Sequence, residues 1–79
     1  MNNISNATRT ILKNIATALD AGGRVVIGSH ANGLSGNGRV AYVNHNTALS
    51  LARQGLMASN DVNWVTTHTL TTLGRNAVA

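Results

Sequence analysis

The chain contains no cysteine and only two acidic residues, and both shortages limit the chemistry it can perform. Without a thiol, disulfides, thiolate metal sites and cysteine nucleophiles are excluded, and the composition fits a reducing cytoplasm, which is the expected location. Asp20 and Asp61 are the two carboxylate side chains. Paired-carboxylate catalysis and carboxylate-rich magnesium or calcium sites need more acids than these. We therefore expect a protein that is not an enzyme and uses no metal and no cofactor.

Aromatic side chains are scarce as well, so the core must be small. The 79 residues include no phenylalanine, one tyrosine (Tyr42) and one tryptophan (Trp64). A domain of this length buries only about 60–65% of the surface that its unfolded chain exposes, and self-association into a homodimer is one way to bury more. We expect a single domain over residues 1–79. No stretch approaches the ~18 consecutive apolar residues of a membrane span, so we expect no membrane segment.

The charged residues that are present are mostly cations. Six lysine and arginine residues against two acids give a net charge of +4, which favours anionic partners and above all nucleic acid. The six cations are spread along the chain without forming a cluster, and a solvated basic surface would show the same distribution. Charge alone leaves both interpretations open.

The first half of the chain is expected to form a helix and two strands. Residues 5–21 repeat apolar side chains every three to four positions, which predicts an amphipathic helix. Residues 24–27 and 39–43 have strand character, and a β-hairpin is their simplest pairing. Between them, residues 28–38 are rich in glycine and asparagine and are expected to form a mobile loop without a regular element.

The second half is expected to contain a helix, two strands and a last helix. Residues 45–54 predict the second helix of the chain. Two further strands follow, joined by a turn at Ser59-Asn60-Asp61, and a last helix runs from Thr72 to about Val78. The expected fold is therefore α+β with the order α-β-β-α-β-β-α.

Several residues fit the ends of these helices. Candidates for the N-terminal caps are Ser5 or Asn6 for the first helix, Asn44 or Asn46 for the second and Thr71 for the last. Gly22-Gly23 and Gly55 fit the left-handed conformation that often follows a helix, and Leu56 fits the apolar contact that accompanies such an end.

Two familiar kinds of site are not supported by their spacing. The segment 28–38 lacks the Gly-Lys-Ser/Thr of a phosphate-binding loop and leads into a strand, where such loops lead into a helix. His30, His45 and His68 lie fifteen and twenty-three residues apart, which does not match the short ligand spacing of a structural zinc site. Neither a nucleotide site nor a zinc site is expected.

The second helix is the best candidate for a binding surface. If Ala48, Leu49 and Ala52 turn inward, the outer face presents five polar side chains: His45, Asn46, Ser50, Arg53 and Gln54. Asparagine, glutamine and arginine can make paired hydrogen bonds to base edges. A solvated helix face would have a similar composition.

Trp64 permits two interpretations. An exposed tryptophan would mark a contact with a partner. In a chain with so few aromatic side chains, however, the single tryptophan is more economically used to cover the core, and we expect it there.

Residues 42–78 resemble the C-terminal half of a winged-helix domain. The resemblance rests on the capped helix His45–Gln54 ending in Gly55-Leu56, on a hydrophilic hairpin over residues 56–70, and on Leu70-Thr71-Thr72-Leu73-Gly74-Arg75 opening a closing helix. It implies a recognition helix, a wing and DNA binding, with phosphate contacts from Arg9, Lys13, Arg39 and Arg75. The N-terminal half departs from the family because strands and a glycine-rich loop replace the first helix of the helix-turn-helix.

The alternative function is a protein-interaction module or an inhibitor of a larger partner. In that hypothesis the contact surface comprises Trp64 together with His30, Asn32 and Leu34 of the loop. Small basic proteins of this kind resemble the accessory proteins that phages and other mobile elements encode, an analogy at the level of fold and size.

Overall fold

The computed structural model describes residues 4–78 and is an α+β fold, as expected. The elements are α1 (Asn6–Asp20), β1 (Arg24–Gly28), β2 (Gly33–Ser35), β3 (Val40–Asn44), α2 (His45–Arg53), β4 (Met57–Val62), β5 (Val65–Leu70) and α3 (Thr72–Val78). Seven of these elements match the expected order. The eighth, β2, is a short strand inside the segment that was expected to be a loop.

The strands form one three-stranded sheet and one separate ribbon. The sheet has the order β1-β3-β2, with β1 parallel to β3 and β2 antiparallel to it. The predicted hairpin of residues 24–27 with 39–43 is therefore wrong. The hairpin partner of β3 is instead β2, which is joined to it by a turn at residues 36–39 and occupies one of its edges. Asn37 and Gly38 in this turn both have positive φ (57° and 81°). The parallel strand β1 takes the other edge.

The core lies on one face of the three-stranded sheet. Val25 of β1 pairs with Ala41 of β3, and both are buried with Val43. The helices and the start of β4 cover this face with Leu12, Ile15, Ala18, Ala48, Leu51, Leu56 and Met57. The ten buried side chains of this core are aliphatic or methionine, as the scarcity of aromatic residues predicts.

Helices α1 and α2 have the same kinds of N-terminal and C-terminal caps. The caps are Ser5, which accepts from the Thr8 amide at 3.1 Å, and Asn44, which accepts from the Asn46 amide at 2.9 Å. At the other ends, Gly22 (φ 78°) and Gly55 (φ 73°) adopt the left-handed conformation. The following amides each reach back five residues, from Gly23 to the Ala18 carbonyl and from Leu56 to the Leu51 carbonyl, which is the Schellman pattern.

Strands β4 and β5 form a hairpin whose turn is not where the sequence indicates. Ser59 pairs with His68 and Asp61 with Thr66, so the predicted turn at Ser59-Asn60-Asp61 is wrong. The ladder continues to Val62 and Val65, and the turn residues are Asn63 and Trp64. Both have positive φ (51° and 66°), which identifies the type I′ geometry that matches the twist of a two-residue hairpin.

Thr71 caps α3, as predicted, and joins it to the end of α2. Its hydroxyl accepts from the Gly74 amide at 3.0 Å and donates to the Gly55 carbonyl at 2.5 Å. Gly74 is buried, and its α-carbon faces the Leu56 carbonyl so closely that a β-carbon would collide with it. Within residues 4–78, no helix is both long enough and apolar enough to cross a bilayer.

Candidate nucleic-acid interface

Helix α2 presents three different faces. Ala48 and Leu51 are buried, whereas Leu49 is 44% exposed and Ala52 is also exposed. The expectation that Leu49 and Ala52 turn into the core is therefore wrong. With His45, at a spacing of four and then three residues, they form a second face that borders a surface groove. The third face carries exposed polar side chains.

The exposed polar face contains four of the five predicted contact residues, whereas the fifth, His45, lines the groove. Asn46, Ser50 and Arg53 are spaced by four and three positions, so they follow one stripe of the helix, and Gln54 comes directly after them. Gln54 donates to the Ser50 hydroxyl at 3.0 Å and to the Ser50 carbonyl at 3.3 Å. Ser50 and Gln54 are thus held together at the C-terminal end of α2, on either side of Arg53 in the sequence.

Arg53 carries a positive charge that neither acid of the chain neutralises. Asp20 pairs with Arg75, and Asp61 accepts a hydrogen bond from the Thr66 hydroxyl. Arg53 lies in the last turn of α2, where a cation interacts favourably with the helix dipole. Its guanidinium is therefore exposed and available to an anionic partner.

The start of α2 is fixed by a group of asparagines. The Asn32 side-chain oxygen accepts from the Asn44 amide at 2.6 Å, and its nitrogen donates to the Thr47 hydroxyl at 3.5 Å. The Asn44 side chain in turn donates to the His30 carbonyl at 3.5 Å. Asn32, which the alternative function assigned to partner binding, therefore ties the loop before β2 to the helix that carries the polar face.

Other cations lie on α1 and at the start of the sheet. Arg9 and Lys13 are exposed and four residues apart, so they share one face of α1. Arg39 is also exposed, and its carbonyl accepts a hydrogen bond from the Arg24 amide at 2.9 Å. The parallel pairing thus brings a second arginine, Arg24, beside Arg39. The sequence did not indicate this pair because the expected antiparallel hairpin would have placed Arg24 and Arg39 at opposite ends of the hairpin.

Arg75 differs from the other predicted phosphate contacts because it already has a partner. Its guanidinium lies 3.0 Å from the Asp20 carboxylate, and the two side chains are 42% and 68% exposed. A surface ion pair of this kind contributes about 0–1 kcal/mol to stability. It nevertheless lowers the net positive charge that Arg75 offers to a phosphate.

The residues of the alternative protein-binding surface differ in their exposure to solvent. Trp64 is completely exposed, at 103% of its reference area, so the expectation that it covers the core is wrong. The reason is its place in the turn, beyond the last pair of the β4–β5 ladder. Leu34 is 40% exposed on the edge strand β2. His30 is half buried with both ring nitrogens shielded from solvent, and its ring packs edge-on against Tyr42 at 4.9 Å.

A groove of about 320 Å³ lies between α2 and the β4–β5 hairpin. Its apolar lining comprises Ile27, Ala48, Leu49, Ala52 and Met57, and its polar lining comprises His45, Ser59, Thr66 and His68. The Ser59 hydroxyl lies 2.9 Å from Nδ1 of His68, across the hairpin. The sequence did not indicate this pair because it predicted Ser59 in the turn and His68 in the following strand. His45 and His68 both line the groove. Within residues 4–78, however, no three histidine or aspartate side chains lie close enough together to bind a metal ion.

Comparisons of the chain with protein-family models, curated proteins and solved structures find no match. The functional argument therefore depends on the geometry and the charge distribution described above.

Proposed function

We propose that the protein is a small, non-enzymatic, cytoplasmic regulator that binds DNA through helix α2 in a winged-helix-like manner. The observation that carries the proposal is the polar face of α2, on which Asn46 and the unneutralised Arg53 are both exposed. The order of helix, hairpin and helix over residues 45–78 supports the comparison with winged-helix domains, in which the helix before the wing enters the major groove.

Each predicted side chain has a role in this proposal. Arg53 and Asn46 contact base edges, since arginine pairs with guanine and asparagine with adenine in the major groove. His45, Ser50 and Gln54 position the helix. Phosphate contacts come from Arg9, Lys13, Arg39 and Arg75, and Arg24 joins this set because of its position beside Arg39.

The β4–β5 hairpin differs from a wing that follows the DNA backbone. Residues 57–70 contain no lysine or arginine, and their one formal charge is that of Asp61. Phosphate contacts supply most of the affinity in DNA complexes, so we assign them to α1, to the start of the sheet and to Arg75 of α3. The proposal therefore assigns no phosphate contact to the hairpin.

The test compares two variants that lose the same charge. In fluorescence anisotropy with a mixed-sequence duplex, Arg53→Ala is expected to weaken binding by about 1–3 kcal/mol, the usual value of an arginine that reads a base. Arg75→Ala also lowers the net charge from +4 to +3, but it removes a cation that Asp20 already neutralises. It is therefore expected to weaken binding by less than Arg53→Ala. Equal losses in the two variants would mean that net charge alone drives binding, and the role of α2 would be wrong.

Protein binding is the second candidate function, and the complete exposure of Trp64 favours it. Tryptophan is enriched at the centres of protein interfaces, and the hairpin that carries it is nearly uncharged.

A further inference from the structure

Trp64 occupies a backbone conformation that a tryptophan adopts at a cost. Its φ of 66° lies in the left-handed region, and the second position of a type I′ turn is usually glycine because other residues are strained there. The side chain recovers none of this cost within the monomer, since it is completely exposed. A strained residue that contributes nothing to its own fold points to a function outside that fold.

The groove between α2 and the hairpin has a volume and a lining that suit an indole ring. Its volume of about 320 Å³ is at the lower end of the ~300–1,000 Å³ of ligand pockets, which suits a single aromatic side chain better than a cofactor. The aliphatic lining matches the indole ring. Ser59 and Thr66 at the rim offer hydroxyl oxygens that can accept from the indole N–H, the one polar group that a buried tryptophan must satisfy.

The groove cannot be filled by the tryptophan of its own chain. Ser59, Thr66 and His68 of the hairpin line the groove, and the ladder runs without a break from Met57 and Leu70 to Val62 and Val65. The turn therefore extends beyond the groove and leads away from it. Any tryptophan that enters must come from a second molecule.

We propose that two copies of the chain form a symmetric dimer in which Trp64 of each copy occupies the α2–hairpin groove of the other. A two-fold axis satisfies both tryptophans and both grooves at once, since each copy supplies one of each. The side chains at the proposed contact carry no charges that would oppose this partner. Each chain carries +4 and repels its copy, whereas the groove lining and the turn contain no lysine, arginine or aspartate, so they can meet without opposing charges.

The area available indicates a weak dimer. Each tryptophan can bury about 150–250 Å², and Val62 and Val65, which are 55% and 63% exposed, flank it on the hairpin. Together with the groove walls, the total falls at or below the ~1,200 Å² at which stable interfaces begin. We expect monomers at low concentration and dimers across the micromolar range.

Tryptophan emission is a direct probe, because the chain has one tryptophan. As the wild-type concentration rises, the emission should move to shorter wavelength while sedimentation shows a dimer appearing over the same range. Added salt should favour the dimer, because it screens the repulsion between the two chains. All measurements are made without nucleic acid, so the result does not depend on the proposed DNA binding.

Two variants test whether the tryptophan enters the groove. Trp64→Gly removes the tip and relieves the backbone strain, and Ala52→Gln puts an uncharged side chain into the groove. Each variant alone should remain monomeric. Ala7→Gln makes the same substitution at an exposed position of α1, away from the proposed contact, and should dimerise like the wild type.

Mixing the two variants restores one intact contact. The tryptophan of the Ala52→Gln copy can enter the unaltered groove of the Trp64→Gly copy, so heterodimers should form, more weakly than the wild-type dimer. In this mixture the emission comes from the Ala52→Gln copy, and it should shift to shorter wavelength only when its partner is added. A wild-type chain that stays monomeric, a Trp64→Gly variant that dimerises as the wild type does, or a mixture of folded variants without heterodimers would each overturn the proposal.

Discussion

At the scale of single residues, some left-handed backbone positions could be predicted from the sequence and others could not. Gly22 and Gly55 were assigned to this conformation from their places after amphipathic helices, and the structure confirms both. Asn63 and Trp64 adopt it as well, but no glycine marks their turn. The scarcity of aromatic residues pointed Trp64 towards the core, because burying the single tryptophan would enlarge a small core. Its actual place in the turn depends on the register of β4 with β5, which the sequence did not indicate.

Replacing Trp64 should therefore stabilise the fold. Trp64→Gly relieves a left-handed non-glycine residue and should raise the free energy of unfolding by about 0.5–1 kcal/mol, after the greater flexibility of glycine in the unfolded chain is subtracted. Trp64→Ala retains the strain and should change stability by less than about 0.5 kcal/mol. Urea unfolding at concentrations where the chain is monomeric measures both. A loss of more than 1 kcal/mol in the alanine variant would show that Trp64 packs against the fold.

Gly74 is required for a different reason, which is close contact. A β-carbon at this position would collide with the Leu56 carbonyl, whereas one at Gly33 would meet nothing within 4 Å. We expect Gly74→Ala to destabilise the protein by about 1–3 kcal/mol, as overpacking does, despite the better helix propensity of alanine. Gly33→Ala is the matched control and should stay within about 0.5 kcal/mol of the wild type. Equal unfolding midpoints for the two variants would contradict this packing of α3 on the end of α2.

Among the elements, helices could be predicted far better than strand pairings. The periodicity and the capping residues of α1, α2 and α3 are local, so their positions were predicted to within about a turn. Strand pairing is not local. The short strand β2 has no apolar alternation, and its pairing with β3 decides that β1 must pair in parallel on the other edge. The groove depends on these pairings and on the register of β4 with β5, so the sequence did not reveal it.

The capping of α2 can be tested at this scale. Asn44→Ala removes the cap on the Asn46 amide and the bond to the His30 carbonyl, and should lower the free energy of unfolding by about 1 kcal/mol. Asn46→Ala is the control at an exposed position in the first turn of the same helix and should change stability by less than about 0.5 kcal/mol. Thermal or urea unfolding compares them. If the two variants unfold alike, the start of α2 is not fixed by Asn44.

At the scale of the whole molecule, the cations are unevenly distributed over the elements. Arg9, Lys13, Arg24 and Arg39 lie on α1 and at the start of the sheet, whereas the hairpin carries no lysine or arginine. Helix α2 carries both a cation and apolar side chains at the surface, because its polar face holds Arg53 and its neighbouring face lines the groove. The excess of cations was evident from composition. The fold brings one of them, Arg24, to the hairpin, where it lines a pocket with Val65, Thr66, Thr67 and His68.

The salt dependence of duplex DNA binding tests the central claim most directly. If three to five of the exposed cations contact phosphates, a plot of log affinity against log salt concentration should be a straight line with a slope of about −2.7 to −4.5, since each phosphate contact contributes about −0.9. Anisotropy of a labelled duplex, titrated at several salt concentrations, gives this slope. A slope in that range would support DNA binding through the basic surface. Binding that is insensitive to salt, or no binding at low salt, would contradict it.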